Sequence, residues 1–515
     1  MDDRRDLTSG AGSPRIEIRQ LDGVDPVSFA GTLRGDVVWL DSSVPAGAPD
    51  SARDRARWSV LAPCDGAFTA RFRHQDRRAH LDVSMPLLAW FGASRSEDRP
   101  AFDVLADLLA LTPRLAEPFP GLGFALGWVG FLGYELGRES GGPDRTADGH
   151  ADADLRFVDR AVVVRDDGAA WALALVDDAE PDASAANRAW LETVADGGPA
   201  ADVRDVPPSL PSGPASGRVS RAAYETAVEA CRAEIRDGNA FQVCLTTAFS
   251  VPGTGREALA GPGTDPHLVE YLRMRAADPV PFGAYLRLGP LRVASRSPER
   301  FLRIGADGRV LAEPIKGTRR RLTDPEADPA ADLAMRDELA ASVKDRAENV
   351  MIVDLLRNDL LRTAVPGSVH VDRLCAVETY ASVHQMVSTI GAVLPEGVSR
   401  ADVVRAAFPP GSMTGAPKTS AMAIASRLEG GPRGVYSGAI GYFSASGAVD
   451  LSVVIRTLVT VLDDCGAAGS RTAVRSRTLG AGGAVTWSSV AGDEADEALT
   501  KTRSVLGSMG VVADW

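Results

Sequence analysis

Apolar stretches of strand length recur along most of this chain, and helix-length stretches fall between them in no regular order. Segments 37–40, 156–164 and 171–176 read as strands, as do 241–250, 282–288, 292–295, 383–393, 435–443, 451–462 and 471–479 further on. Helices are expected at 220–237, capped by Ser220 with Tyr224, Val228 and Ile235 on the inner side, and over 332–362. A regular βαβ alternation would place a helix between successive strands and build a parallel sheet. Here strands often follow strands directly, so the pattern predicts an α+β fold with mixed or antiparallel sheets.

A chain of 515 residues is long enough for about three ordinary domains or two large ones. Residues 198–218 hold a dense Pro/Gly/Ser mixture and read as a linker, dividing an N-terminal domain at 15–197 from a larger one at 219–515. Residues 1–14 are expected to be disordered, and 138–154 to form an exposed loop. The net charge of −13 disfavours a nucleic-acid or anionic-membrane partner. The uncharged run 118–134 carries five glycines and fits a buried strand and turn better than a membrane span. The N-terminus lacks the apolar core of a signal peptide. Five dispersed cysteines, with no CxxC pair and no Cys/His cluster, suit a reduced compartment. A cytoplasmic protein is the expectation.

Four local patterns offer chemistry. Asp345 and Glu348 lie three apart on one expected helix, and Glu494 and Glu497 repeat that spacing near the C-terminus. Two such pairs facing each other would offer oxygen ligands to a hard divalent ion, magnesium before zinc because no His or Cys accompanies them. Taken alone, pairs of this kind are more often solvated helix surface. The run FPPGSMTGAPK, with Gly411, Gly415 and Pro417, leads into a helix whose N-terminus suits an anion, although ordinary loops end this way too. LGAGGAV, with Gly480, Gly482 and Gly483, permits close approach of a ligand to the backbone or simply closes a hairpin. In PIKGTRRR, Lys316 sits in a tight apolar turn that would favour its neutral, nucleophilic form. A solvated lysine in a basic cluster with Arg319, Arg320 and Arg321 is the simpler isolated account.

Taken in order, the motifs FQVCL (241–245), SPERFL (297–302), PIKGT (314–318) and KDRAENVMIVDLLRNDL (344–360) begin a longer series. VHQMVSTI (383–390), FPPGSMTGAPK (408–418), YSGAIGYF (436–443), VVIRTL (453–458), GAGGAV (480–485) and EADEALTK (494–501) complete it. Together they resemble the chorismate-utilising enzymes, the family of the anthranilate synthase and aminodeoxychorismate synthase large components. The resemblance covers about residues 220–510, and more loosely VVWLDSS (37–43) and GWVGFLGYEL (127–136) upstream.

That resemblance implies two large, mostly antiparallel sheets packed as a sandwich with helices outside. It implies Mg2+ held by Glu348 and Glu497, with Asp345 and Glu494 acting directly or through water. It implies that the substrate, chorismate, lies against Arg456, Tyr436, Lys501, Thr414, Gly415 and the amides of Gly482 and Gly483, beside Gln242, Gly317 and Thr318, with His384 near the ring. Water-adding members carry a lysine base at the position of Gln242, and glutamine cannot take a proton from water. Anthranilate synthases usually read PIAGT where this chain reads PIKGT. Lys316 therefore implies the aminodeoxychorismate synthase branch, in which the lysine attacks ring carbon 2, the 4-hydroxyl leaves with a proton from Glu299, and ammonia enters at carbon 4. The chain shows no cysteine in a GxCxG setting, so the resemblance also implies ammonia from a separate glutamine amidotransferase subunit.

Overall fold

The computed structural model describes residues 14–43, 50–147, 149–197, 213–253, 265–322, 328–380, 383–463 and 474–515. The expected disorder at 1–14 thus lies almost wholly outside the described residues, as do Cys465 and residues 198–212 of the expected linker.

Two large sheets form the body. The first has 13 strands and runs Arg15–Leu21, Ala170–Val176, Arg160–Arg165, Trp58–Pro63, Val37–Asp41, Phe282–Leu288, Leu291–Ser297, Thr457–Leu462, Val474–Val485, Gln242–Ser250, Ala215–Gly217 and Ala513–Asp514, with Gly415–Ala416 added beside Gln242–Ser250. The second has 12 strands and is centred on Arg300–Ile304, Val449–Val453, Ala439–Ser444 and Gly127–Leu132. Its far edge is built on Val383–Val393, which pairs with Arg309–Ala312, Ile315–Arg320 and His370–Thr379. All pairings are antiparallel except the short Ala215–Gly217 with Ala513–Asp514. Strands from before and after residues 198–218 share both sheets, so 15–197 and 219–515 do not build separate sheets.

Side chains of successive strand residues point to opposite faces, and that alternation sorts the core. In Val37–Asp41, Val38 joins the cluster between the sheets while Trp39 faces the opposite way. Leu173 and Leu175 likewise face the second sheet, and Ala172 and Ala174 the other side. The outer face of the first sheet is covered by helices Pro181–Ala195, Pro266–Ala277 and Ala491–Leu506, which contribute Leu191, Tyr271 and Val505. Both of its faces are therefore apolar, and each large side chain fully removed from water contributes about 2–3 kcal/mol. Among the described residues no helix is long and apolar enough to cross a membrane.

The expected helix at 220–237 forms as Arg221–Arg236, with the Ser220 hydroxyl accepting from the Ala223 amide. Three expected elements are broken, each for a local reason. Helix 332–362 is two helices, Pro329–Ala341 and Val343–Leu361, because Ser342 takes an extended conformation and caps the second through the Asp345 amide. Strand 156–164 breaks at buried Asp159, whose carboxylate accepts from the Phe68 amide and the Asn187 side chain. Strand 451–462 breaks at Arg456, which has a left-handed φ of 51°. That last break passes the chain from the second sheet to the first. A second crossing, from Ser297 to Arg300, lies beside it: the Arg296 amide donates to the Arg456 carbonyl and the Val453 amide to the Glu299 carbonyl.

Candidate functional site

A cavity of about 640 Å³ opens where these two crossings meet. Its wall contains Lys316, Gly317, Thr318, Glu299, Tyr436, Arg456, Gly482, Gly483, Lys501, Asp345, Glu348 and Glu497, twelve residues singled out from the sequence. Five cations (Lys316, Arg319, Lys344, Arg456, Lys501) face four carboxylates there (Glu299, Asp345, Glu348, Glu497).

Lys316 lies in a β-bulge. The register against Val383–Val393 moves from Ile315 opposite Val387 to Thr318 opposite Gln385, so three steps on one strand match two on the other. The extra residue frees Lys316 and Gly317 from the ladder and redirects their side chains. Gly317 has φ +81°, and a Cβ there would fall 2.9 Å from the Asp345 Cβ and the Leu339 Cδ1. Only glycine allows the strand to approach helix Val343–Leu361 so closely. Among the described residues the half-buried Lys316 ammonium has no hydrogen bond or ion pair. Its charge is felt by Glu299, Glu348 and Glu497.

Glu299 occupies the other crossing and is 7% exposed. Burial raises its pKa above the usual carboxylate range, and Lys316 only partly offsets that. Opposite it, Arg456 is aimed by its left-handed backbone and lies 3.6 Å from Asp278, which also pairs with buried Arg296 at 2.9 Å.

The glycine run has three separate packing causes. A Cβ on Gly480 would enter the Tyr436 ring at 2.2 Å, one on Gly482 would strike the Leu245 carbonyl oxygen at 2.2 Å, and one on Gly483 would lie 2.7 Å from Glu494 Oε2. Lys501 donates to the Gly482 carbonyl at 2.8 Å and pairs with Glu497 at 2.7 Å.

The acidic residues are brought near one another without closing on a single point. Asp345 pairs with Arg319 at 2.9 Å and Glu348 stands 3.9 Å from Lys344. Burial raises the Glu348 pKa, and the neighbouring Glu497 and Asp345 add to the rise against Lys316 and Lys344. Glu494 turns inward: Oε1 accepts from the Ser489 hydroxyl at 2.7 Å, while Oε2 is buried with no partner among the described residues. No group of three His, Cys, Asp or Glu is gathered tightly enough to form a metal cage among the described residues. The donors are nevertheless the hard oxygens magnesium requires, and Gly483 keeps open the space in front of the unpartnered Glu494 oxygen.

Five residues named from sequence are not in the cavity wall: Gln242, Thr414, Gly415, His384 and Glu494. Gln242 is fully buried with both amide atoms unpartnered, two residues from Cys244 and on the same strand face; Cys244 does line the cavity. Thr414 donates to the Gly411 carbonyl, and Gly415 lies against the Gln242 carbonyl with φ +123°. His384 does not reach the cavity, because strand alternation presents its neighbour Gln385 instead. Its Nδ1 pairs with the Thr379 hydroxyl at 2.9 Å, and its Nε2 lies 3.4 Å from Asp332. The sequence reading missed Gln385, Lys344 and Ser412. Lys344 was legible, four residues before Glu348 on the same helix; Ser412 carried no signal beyond its glycine-rich setting.

Arg433 holds the back of the site. Its side chain, 2% exposed, forks onto Glu429 and donates to the carbonyls of Met413 and Cys244. Glu135 fixes the same segment by accepting from the amides of Arg433 and Gly434. Burial pushes the Glu135 pKa up to about 7 in spite of those bonds. The unfolded chain ionises this carboxyl near 4.5, so the folded state loses its advantage as pH rises from about 4.5 to 7. That difference is about 3 kcal/mol. Wild type measured against Glu135→Gln by urea unfolding should therefore weaken by about that amount between pH 4.5 and 8. Parallel pH profiles for the two proteins would refute it.

The chain matches the model of the chorismate binding enzyme family over residues 70–507. It is 42% identical over 506 residues to an aminodeoxychorismate synthase of Streptomyces pristinaespiralis, covering 90% of this chain and 66% of that protein. It is 42% identical over 477 residues to an aminodeoxychorismate synthase of Streptomyces griseus, covering 91% of this chain and 60% of the relative. The chain thus spans less than two thirds of the length of these two curated relatives. The crystal structure of anthranilate synthase component I from Streptococcus pneumoniae superposes with a TM-score of 0.67 at 25% identity, covering 94% of this chain and 98% of that one.

Proposed function

This chain belongs to the chorismate-binding enzyme family, and from that premise we propose that it aminates chorismate at ring carbon 4, giving 4-amino-4-deoxychorismate. The observation that carries the choice of carbon is Lys316, redirected by its bulge into the cavity wall with no partner to hold it among the described residues. The 42% identity to aminodeoxychorismate synthases over 90% of the chain supports the same branch.

In this reading the neutral Lys316 amine attacks ring carbon 2. Both ring double bonds shift by one position, from carbons 1 and 2 to carbons 1 and 6 and from carbons 5 and 6 to carbons 4 and 5, and the bond from carbon 4 to its hydroxyl breaks. Glu299, whose burial favours its protonated form, gives the departing hydroxyl its proton, and water leaves. Ammonia then adds at carbon 4, both double bonds shift back, and the lysine departs from carbon 2 with the electron pair and a proton lost by the incoming nitrogen. Arg456, Tyr436 and Lys501 hold the two carboxylates of chorismate, so that both attacks occur at fixed distance. Glu348 and Glu497, supported by Asp345 and Glu494, would hold magnesium, which would neutralise a substrate carboxylate when bound. In this reading the ammonia comes from a separate glutamine amidotransferase subunit, and the complex works in the cytoplasm as part of 4-aminobenzoate and folate synthesis.

Purified chain with chorismate, magnesium and ammonium should yield 4-amino-4-deoxychorismate by chromatography, with no product when magnesium is chelated. Anthranilate fluorescence without any added lyase, or conversion of chorismate with no nitrogen source, would refute the assignment.

A further inference from the structure

Glu299 and Lys316 stand at the two ends of one forked hairpin, and neither lies in a ladder pair. Among the described residues, strands Arg300–Ile304 and Arg309–Ala312 pair only at Arg303–Leu311 and Ile304–Val310. Past that point the arms part, one leading back to Glu299 in the crossing and the other on to Lys316 in the bulge. An ion pair closes the open end of this fork. Arg300 is buried, turns away from the cavity that its neighbour Glu299 lines, and donates to Glu313 Oε2. Its other nitrogens reach Asp450 at 3.0 and 3.2 Å. Glu313 Oε1 accepts at 3.0 Å from Arg55, a buried cation brought from the N-terminal part of the chain by the short helix Asp50–Arg55. Arg55 continues to Glu378 at 2.7 Å, which also accepts from Arg373 and from the Tyr380 hydroxyl. Burial would raise the Glu313 pKa, but Arg300 and Arg55 outweigh it and hold this carboxyl below its usual range.

We propose that Glu313 is a positioning residue: by bridging Arg300 and Arg55 it closes the fork and fixes the separation of Glu299 and Lys316 across the catalytic cavity. The proposal rests on the reaction argued above, in which these two groups must reach carbons 4 and 2 of one ring together. A carboxylate suits the place because its two oxygens answer one guanidinium each. With that charge removed, two buried guanidiniums lose their shared partner, and the arms of the fork are free to separate until each cation is answered again. Gly317 anchors the far side of the bulge on helix Val343–Leu361, and Glu313 anchors the near side. Asp450 differs in position: it lies on the strand Val449–Val453 that already pairs with Arg300–Ile304, outside the fork.

Kinetics of the whole chain with chorismate, magnesium and ammonium test the role. Glu313→Gln should lower kcat about tenfold or more with the chorismate KM within about twofold, because a misplacement of about 1 Å is costly to chemistry and not to binding. Glu313→Asp, which restores the charge on a shorter arm, should recover part of that loss. Asp450→Asn is the control, removing a partner of Arg300 without opening the fork, and should leave kcat within about twofold. In a chain already carrying Glu299→Gln, adding Glu313→Gln should cost only about twofold, since the acid it positions is gone. Arg55→Gln, expected to lower kcat about threefold, serves if Glu313→Gln does not fold. An unchanged kcat in Glu313→Gln, a loss no larger than that of Asp450→Asn, or a full tenfold loss on top of Glu299→Gln would overturn the inference. A wild type that makes no 4-amino-4-deoxychorismate would refute the proposed reaction instead. The fork is then read in crystals, where Lys316 Nζ and the Glu299 carboxyl should lie about 1 Å farther apart in Glu313→Gln than in wild type, and equal separations would overturn it.

Discussion

Lys316→Ala should abolish formation of 4-amino-4-deoxychorismate, lowering kcat on the order of 10³-fold or more, as loss of a covalent nucleophile does. The KM for chorismate should move much less, because Arg456, Tyr436 and Lys501 hold the substrate independently of the bulge. Three details make the variant interpretable. The bulge is maintained by Gly317, whose close packing on Asp345 and Leu339 does not involve the lysine side chain. Among the described residues the Lys316 ammonium holds no ion pair whose loss would unfold the strand. Its removal also takes away the charge that partly offsets the raised pKa values of Glu299 and Glu348. Both carboxyls should then hold their protons to still higher pH. A difference titration of wild type against variant should show that upward shift. Product made at the wild-type rate by Lys316→Ala would refute the covalent role and return the choice between carbon 2 and carbon 4 to other residues.

The site was legible in the sequence to the extent that it depends on residue order. The GAGG run, the Asp345/Glu348 pair, Glu497 and the lysine between an apolar residue and a glycine all survive as features of one cavity. What could not be read was geometry set by long-range pairing. The bulge at Lys316 exists only because strand Ile315–Arg320 meets Val383–Val393 out of step. His384 and Gln385 exchange places relative to expectation because a one-residue difference in register selects the face. Glu494 shares helix spacing with Glu497, yet Ser489 draws it behind Gly483. The broken strand at 451–462 is similar: its apolar pattern is continuous, while Arg456 leaves the extended region so that the chain can change sheets. The division at 198–218 follows composition, but the strands on either side of it interleave in both sheets.

The largest stability effect should come from Arg433, a residue no motif highlighted. Its side chain is 2% exposed and that of Glu429 is 4% exposed. It donates to Glu429 at 2.6 and 2.9 Å, to the Met413 carbonyl at 2.6 Å and to the Cys244 carbonyl at 2.8 Å, with its guanidinium 4.1 Å above the Tyr134 ring. Glu429 in turn accepts from the Thr246 amide and hydroxyl. One guanidinium thus ties the GSMTG loop to strand Gln242–Ser250 and to the segment carrying Tyr436. Arg433→Met would leave a buried carboxylate without its counter-ion and two carbonyls without donors, a loss of about 3–5 kcal/mol. Arg433→Lys keeps the charge but cannot reproduce the fork, so it should fall between Met and wild type. The sharper measurement is the cycle with Glu429→Gln. Once the carboxylate is neutral, adding Arg433→Met should cost much less than it does alone, because the penalty belongs to the unpaired charge and not to lost packing. Urea unfolding of the four proteins gives that coupling directly. If the double variant is as unstable as the two single losses added together, Arg433 acts through its bulk, and the ion pair is not what holds the back of the site.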